Sequence, residues 1–327
     1  MKRSRLAGLF VLGCVLLYPA NLRAEVTVEP SERGQVVKID GKTFAEYLTK
    51  SGRSPALWPI IGPTGKPMTR EYPAGTNDPG ATNDHPHHHS VWFTHDEVST
   101  PKVPRADFWS TNRNDNDDPK SPHVDHREFV KADSDGKVAT IVTRNDWMNG
   151  DERMFEDERT LRFGQRANGD RWIDFAITIK ATDGDVTFGD TKEGTFAVRV
   201  PDTMRVEAKK GGRFVNDQGL ENEAAWGIPA PWVDYTGPVE GETLGIAFFS
   251  HPQSFRPNTR WHVRTYGLFA ANPFGQKDFP KKEFSKQGAY TIKKGDELTL
   301  RYRVLLHRGT TEEADIDAAY QEFAALP

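Results

Sequence analysis

Short runs of alternating apolar and polar residues recur along most of the chain. Alternation with a period of two predicts strands, because successive side chains of a strand point to opposite faces. These runs are rich in Val, Ile, Phe and Thr, and Gly, Asp, Asn and Pro separate them. The clearest are VVKI, KTFAEYLT, KVATIVTRNDW, RWIDFAITIKA, GTFAVRV, TLGIAFFS, WHVRTYGLFA and LTLRYRVLLH. Asp40-Gly41, between the first two, is a dipeptide typical of a hairpin turn.

One convincing helical pattern lies near the C-terminal end, between Thr310 and Leu326. Thr310 or Thr311 could cap its first turn. We expect its apolar side to pack over a sheet. That side consists of Ile316, Ala319, Tyr320 and Phe323.

These elements predict an all-β fold, a large antiparallel two-sheet sandwich with a C-terminal helix. Residues 25–327 are numerous enough for one large core, and no repeat or shift in composition divides them. Large antiparallel sheets bury one face and leave the other exposed. A concave sheet face with long loops at its rim is therefore the expected place for a ligand.

The first 24 residues have the features of a secretory signal peptide. Three basic residues in the first five precede an apolar run of fifteen, Leu6–Ala20, which is short for a membrane span. We expect cleavage near Ala24 and a periplasmic or secreted protein. A lipoprotein is the alternative, because the sequence VLGC ends at Cys14.

Cleavage would remove the only cysteine of the chain together with four basic residues. The mature protein would then have neither a disulfide nor a thiol nucleophile. Taking four positive charges from a chain of net charge −4 leaves −8. An acidic exported protein is a poor candidate for nucleic-acid binding. No later apolar segment is long enough to span a membrane.

The stretch NDHPHHHSVWFTHDE, residues 83–97, contains five of the ten histidines. Two imidazoles two residues apart can bind one metal ion, so His87, His89 and His95 are candidate ligands of a divalent metal. A hydrogen-bonded polar rim is a second interpretation. In a third, neutral imidazoles exchange protons with sugar hydroxyls while Trp92 offers a ring face. A strand here would place His87, His89, Val91 and Phe93 on one face and His88, Ser90, Trp92 and Thr94 on the other.

Other segments combine indole rings with charged side chains, as sugar-binding clefts do. The segment FGDTKEGTFAVRV supplies Glu193 as a carboxylate acid or base, and HPQSFRPNTRWHVRTYGLFAANPFG supplies His262 for proton transfer. The candidate substrate-binding residues are Trp92, Asp190, Asp234, His251, Arg264, Tyr266 and Asn272.

Several longer motifs resemble a family of soluble exported bacterial proteins labelled methane oxygenase PmoA. They are PTGKPMTREYP, DHPHHHSVWFTHDEV followed by DFW, ERTLRFG, FGDTKEGTFAVRV, WVDYTG, HPQSFRPNTRWHVRTYGLFAANPFG and RYRVLLH, and the match runs from about Gly34 to His307. The label implies an oxygenase with metal at the histidines. The β-rich pattern is similar to the super-sandwich of galactose mutarotase and polysaccharide lyases. Resemblance to the mutarotase site implies residues 85–89, Glu193, and His251 or His262 around a sugar.

Three hypotheses for function follow. The first is an exported hydrolase, lyase or epimerase acting on a sugar or modified glycoside, with proton transfer by His85, His87, His88, Glu193 and His262. The second is a metal-dependent enzyme that uses the histidine cluster. The third is a sugar-binding module without catalysis. Under the first, the three early histidines should line one cleft with Glu193 and His262.

Overall fold

The computed structural model describes residues 24–75, 82–110, 120–280 and 288–327. Within these ranges nineteen strands form two eight-stranded antiparallel sheets and one three-stranded sheet. The predicted large two-sheet sandwich with a C-terminal helix is confirmed. Residues 1–23 of the predicted signal peptide 1–24, including the alternative lipoprotein cysteine Cys14, lie outside the described residues.

The first sheet carries the histidine-rich stretch at its centre. Its strands are numbered in chain order. From one edge of the sheet to the other they are β1 (Val26–Pro30), β2 (Gly34–Ile39), β3 (Lys42–Ser51), β4 (Ser54–Ile60), β5 (Val91–His95), β12 (Gly194–Arg199), β17 (Leu268–Asn272) and β16 (Arg260–Val263).

The second sheet is built largely from longer strands. In spatial order they are β13 (Arg213–Asn216), β14 (Trp232–Val239), β15 (Glu242–Ser250), β19 (Glu297–Arg308), β10 (Arg171–Lys180), β9 (Glu152–Gln165), β8 (Val138–Asn149) and β7 (Pro122–Ser134). The small third sheet consists of β18 (Tyr290–Ile292), β11 (Val186–Phe188) and β6 (Val98–Ser99).

Alternation along the strands builds the core between the two large sheets. In β10 every second residue is buried, and Phe175 stacks on Phe196 of β12 with ring centroids 4.1 Å apart. Phe93 of β5 also stacks on Phe175, at 5.9 Å. Burying each such ring contributes about 1.5–3 kcal/mol. Side chains on the other face of β5 and β12 therefore point outward, away from the core.

One predicted turn is confirmed, and one predicted strand differs from the structure. Asp40 and Gly41 both have positive φ, 49° and 73°, as a two-residue hairpin between β2 and β3 requires. The run WHVRTYGLFA, predicted as one strand, is instead the hairpin of β16 and β17. Gly267, at φ 99°, allows the chain to reverse there.

The C-terminal helix, α1, covers Ile316–Ala324 and is shorter than predicted. Asp315 caps it by accepting a hydrogen bond from the Ala318 amide, so the prediction of a threonine cap is wrong. Ile316, Ala319 and Phe323 are buried against the outer face of the second sheet, as expected. In the described ranges, no helix has both the length and the apolar character needed to cross a membrane.

The outer face of the first sheet has a row of small residues between larger ones. The register aligns Ala56, Trp92, Ala197, Ala270 and His262 on the adjacent strands β4, β5, β12, β17 and β16. Val91 and Phe93 point to the core while Trp92 joins the outer cluster, as the alternation predicts. The alanines leave room above the sheet for aromatic rings from its rim.

Candidate functional site

Four rings stack in series at this outer face, and we call them the ring stack. They are Tyr266, His85, His88 and Trp92, with successive centroids 4.8, 4.8 and 5.1 Å apart and interplanar angles of 4°, 16° and 24°. Trp109 packs beside Trp92 at 5.3 Å, and His87 contacts His88 edge-on at 4.4 Å. Residues far apart in sequence therefore form one aromatic cluster.

Local structure before β5 orients the histidines of the ring stack. The His88 amide donates to the His85 carbonyl at 3.0 Å, across Pro86, which closes a turn. Ser90 has a φ of 57°, and its hydroxyl donates to Thr69 at 2.8 Å. Its carbonyl accepts from the amide of Arg199 in β12. The histidine segment is thus fixed to the sheet rather than projecting into solvent.

Asp84 forms the centre of a charged cluster beside the ring stack. Its carboxylate lies 2.5 Å from Arg70 Nη1, 2.8 Å from Arg199 Nη2 and 3.0 Å from His85 Nδ1. Burial alone would raise its pKa, but His85 and the two guanidiniums hold the pKa of Asp84 well below its usual range. Both arginine side chains are almost fully buried, so one carboxylate balances two buried cations.

His88 is held as a neutral hydrogen-bond donor. Burial, followed by the neighbouring His87, holds the pKa of His88 well below 6.5. Arg199 Nη1 lies 3.2 Å from His88 Nδ1, and a guanidinium can only donate. The proton of the neutral ring is therefore assigned to Nε2.

A second group of residues, from β16 and from the loop before β14, adjoins Tyr266. Trp226 Nε1 donates to His262 Nδ1 at 2.9 Å, which assigns the imidazole proton to Nε2. Burial, then Arg264 and Lys192, lowers the pKa of His262 to about 3. The Arg264 guanidinium lies over both Trp226 and Tyr266, at 5.2 and 5.7 Å from their centroids.

Glu193 is partly exposed at the start of β12, with Oε1 3.3 Å from Lys192 Nζ. Burial, and next the charge of Glu193, raises the pKa of Tyr266 to about 12. His85 stacks on Tyr266, and Arg264 lies over both Tyr266 and Trp226, which is hydrogen-bonded to His262. These contacts form a continuous path, and the charge of Glu193 acts on Tyr266 within it.

The predicted metal trio is not brought together. His89 Nδ1 is 2.9 Å from the Ser51 hydroxyl, while His95 Nε2 is 2.9 Å from the Gly189 carbonyl. His95 follows the core-facing positions of β5 and packs against Phe188. Among the described residues, no three His, Cys, Asp or Glu side chains are arranged to hold a metal ion. The assignment of His87, His89 and His95 as a joint metal site is wrong.

Asp234 and His251 lie on the second sheet, so their assignment to substrate binding is also wrong. Asp234 is fully buried, 2.9 Å from His307 Nε2 and 2.7 Å from the Thr311 hydroxyl. His251 Nε2 contacts the Leu326 carbonyl at 3.1 Å. Both side chains hold the C-terminal segment against the sheet.

Asp190 and Asn272 lie near the first sheet but serve its loops instead of a substrate. The Asp190 oxygens accept from the amides of residues 276, 277 and 288. Asn272 accepts from the amides of residues 274 and 275 and donates to the Thr191 carbonyl. Backbone groups engage both oxygens of Asp190 and, in Asn272, the oxygen and one N–H, so these side chains hold loops where a substrate contact was predicted.

Sequence reasoning missed Asp84, Arg70, Arg199 and Trp109. A signal existed for Arg199, because it shares a strand face with Thr195 and Ala197 in the otherwise apolar run GTFAVRV. Asp84 adjoins a histidine that was singled out. Nothing local indicated Arg70, whose contact with Asp84 depends on the fold.

Several buried polar atoms at this face have no hydrogen-bond partner within the described part of the chain. They are Trp92 Nε1, Trp109 Nε1, Thr94 Oγ1 and Arg199 Nε. Most buried polar groups of folded proteins are hydrogen-bonded. Three of these four atoms can only donate.

A cavity of about 640 Å³ adjoins the charged cluster and shares Arg70 with it. Trp58 and Pro59 contribute apolar surface, while Thr82 and Asp202 contribute polar groups. Its volume lies within the range of about 300–1,000 Å³ that small-molecule sites occupy.

Comparisons with known proteins give one family and several distant structures. A model described as "Family of unknown function (DUF6807)" matches residues 35–321. Comparison with curated proteins gave no match.

Solved structures with a similar fold include an α-galactosidase from Lactobacillus brevis, with a TM-score of 0.43 and 8% identity over 89% of this chain and 40% of that one. A galactose mutarotase-like protein from Clostridium acetobutylicum has a TM-score of 0.41 and 10% identity, over 88% of this chain and 99% of its own. A polysaccharide lyase has a TM-score of 0.34 and 14% identity, over 88% and 33%.

Proposed function

The chain belongs to DUF6807, a family of unknown function, and we propose that it is an exported carbohydrate-active enzyme. Its substrate is a sugar or modified glycoside, and its reaction, a hydrolysis, elimination or epimerisation, depends on proton transfer by histidine and carboxylate side chains. The observation that carries this proposal is the Asp84–His85 pair, in which His85 is a partly exposed member of the ring stack.

Asp84 places a negative charge beside His85. The carboxylate is ionised and lies 3.0 Å from His85 Nδ1 as an ion-pair contact, so a reacting group would approach the ring at Nε2. The His85 side chain is 36% exposed, so a ligand can reach it. An imidazole next to a carboxylate is a common general base or acid near neutral pH.

The surrounding residues suit a sugar. Tyr266 and Trp226 are partly exposed aromatic side chains, and their exposed edges offer apolar contact to a pyranose. His88 and His262 carry neutral N–H groups from which sugar hydroxyl oxygens would accept. The indole N–H groups of Trp92 and Trp109 are buried and are not assigned to the sugar. Glu193, whose charge acts on the same Tyr266, supplies the second proton-transfer group.

A sugar-binding module without catalysis is the second candidate. It is favoured by the low pKa values of His88 and His262, which keep both rings neutral and suited to binding rather than to protonation. The two candidates differ in the part played by His85, because a binding module needs no base there.

The test compares His85→Gln with His123→Gln in the mature protein. His123 is a matched control because it also faces an aspartate, Asp125 at 3.4 Å, but lies on the edge strand β7 of the second sheet. A panel of glycans and oxidised glycosides is screened for new reducing ends, unsaturated products and changes in sugar NMR spectra.

We expect H85Q to lower turnover at least about 100-fold, the usual contribution of a general acid or base, while H123Q remains like the native protein. Full activity of H85Q would refute the catalytic role. Sugar binding without turnover in the native protein would favour the module. Export is tested separately by mass spectrometry of the secreted chain, which should begin near Glu25.

A further inference from the structure

The described residues around the ring stack carry an excess of positive charge. The whole chain has a net charge of −4, and loss of the signal would make it more negative. At the site, five cations face three carboxylates, a local balance of +2. They are Arg70, Arg199, Arg205, Arg264 and Lys192 against Asp84, Asp202 and Glu193. A local field opposite to that of the whole protein favours an anionic ligand.

Arg264 is a cation whose side-chain N–H donors have no hydrogen-bond acceptor among the described residues. Its guanidinium lies over Trp226 and Tyr266, and it makes no side-chain hydrogen bond or ion pair with any residue that the structure describes. Stacking engages the flat faces of a guanidinium and leaves its N–H edges available. Arg264 is also partly exposed, so a ligand can reach these edges.

Arg303 is in a similar arrangement that also includes a carboxylate. It too lies over two rings, Trp172 and Phe323, each at 4.7 Å from the centroid. In addition, it binds both oxygens of Asp174 at 2.5 and 2.9 Å. Planar two-point pairing with a carboxylate is the preferred contact of arginine. Within the described chain, Arg264 has the rings but not the carboxylate.

A carboxylate bound by Arg264 would find further donors nearby. His262 stays neutral and carries its proton on Nε2, since Nδ1 accepts from Trp226. The ammonium of Lys192 is close enough to act on the same imidazole. A ligand carboxylate would therefore meet two cations. The acids recorded beside Lys192 are Glu193, which already contacts its ammonium, and Asp278, which accepts from its backbone amide.

We propose that this site selects sugars that carry a carboxylate group, uronates or glycans containing them, and that Arg264 binds the carboxylate in a two-point contact. The inference rests on the proposed carbohydrate function and narrows it to one substrate class. It assigns Arg264 to specificity and leaves proton transfer with His85.

The test uses sugars that differ only at the sixth carbon. Glucuronate, galacturonate and mannuronate, with their methyl glycosides, are titrated beside glucose, galactose and mannose by calorimetry or ligand-observed NMR. We expect at least one uronate to bind more than tenfold more tightly than its neutral partner, with the difference shrinking as salt concentration rises.

Arg264→Met should reduce this preference to less than about threefold. Arg264→Lys should retain part of it, because a lysine keeps the charge but not the planar fork. Arg162→Met is the matched control. It removes the same charge from an exposed position on β9 of the second sheet and should leave the preference unchanged.

Three other results would overturn the inference. Equal binding of uronate and neutral sugar overturns the inference and leaves the proposed function standing. An equal loss of preference in R264M and R162M also overturns it, since net charge alone would then explain the effect. Failure of every sugar to bind overturns both. Circular dichroism and thermal melting of each variant show whether a loss reflects unfolding.

Discussion

Replacing Asp84 with asparagine should destabilise the protein, because it removes the carboxylate shared by two buried guanidiniums. Arg70 and Arg199 lie 2.5 and 2.8 Å from the same oxygen, and their side chains are 1% and 0% exposed. At about 4 Å between charges and an effective dielectric constant of about 20, each pair is worth roughly 4 kcal/mol before solvation.

The net loss is smaller than the sum of these pairs. The Asp84 side chain is 39% exposed, so water screens part of the attraction. Removing one member of a fully buried pair costs about 3–5 kcal/mol, and we therefore expect D84N to lower the free energy of unfolding by about 2–3 kcal/mol. Because the pKa of Asp84 is depressed, this contribution is present above pH 3.8 and is lost only as pH falls through the lower folded value.

Urea unfolding measures the effect as a change in midpoint at constant slope. Asp125→Asn is the matched control, since Asp125 is 65% exposed and faces a single histidine, and it should change stability by less than about 0.5 kcal/mol. Arg199→Met should destabilise the native chain but cost little, or restore stability, in the D84N background.

Two results would refute the shared-carboxylate explanation. One is a D84N protein within about 0.5 kcal/mol of the native chain. The other is an equal cost of R199M in both backgrounds, because contacting residues that interact should not be additive.

Two further predictions concern buried polar groups outside the site. Arg159→Met should lower the free energy of unfolding by about 3–5 kcal/mol, because the fully buried Asp157 would keep only neutral donors. Adding Asp157→Asn should recover part of that loss. Additive effects of the two substitutions in urea unfolding would contradict this prediction. Burial alone would lower the pKa of His307, but Asp234 raises it, so the stability that this pair contributes is complete below 6.5 and is lost as pH rises through the folded pKa. Urea midpoints at increasing pH should show this loss in the native chain and not in His307→Gln, and parallel curves for the two proteins would argue against it.

The sequence by itself determined the elements of this protein and the faces of its strands. Alternation along β5 and β10 depends only on neighbouring residues, and so does the Asp40-Gly41 turn. The same local rules placed Trp92 on the outer face and predicted the buried side of α1. They also drew attention to His85, His88, Glu193, His262, Arg264 and Tyr266, which the fold gathers at one face of the first sheet.

Only the tertiary structure decided which of the polar segments meet. Asp234 and Glu193 were both candidate site residues, yet Asp234 lies in the second sheet and Glu193 directly precedes β12 of the first. Arg199 pairs with Asp84 across 115 residues, a contact that no local pattern specifies. Periodicity reports which way a side chain points relative to its own strand. The order of strands within a sheet depends instead on how all apolar faces pack together, and that order brought Asp84, Arg70 and Arg199 to the histidines.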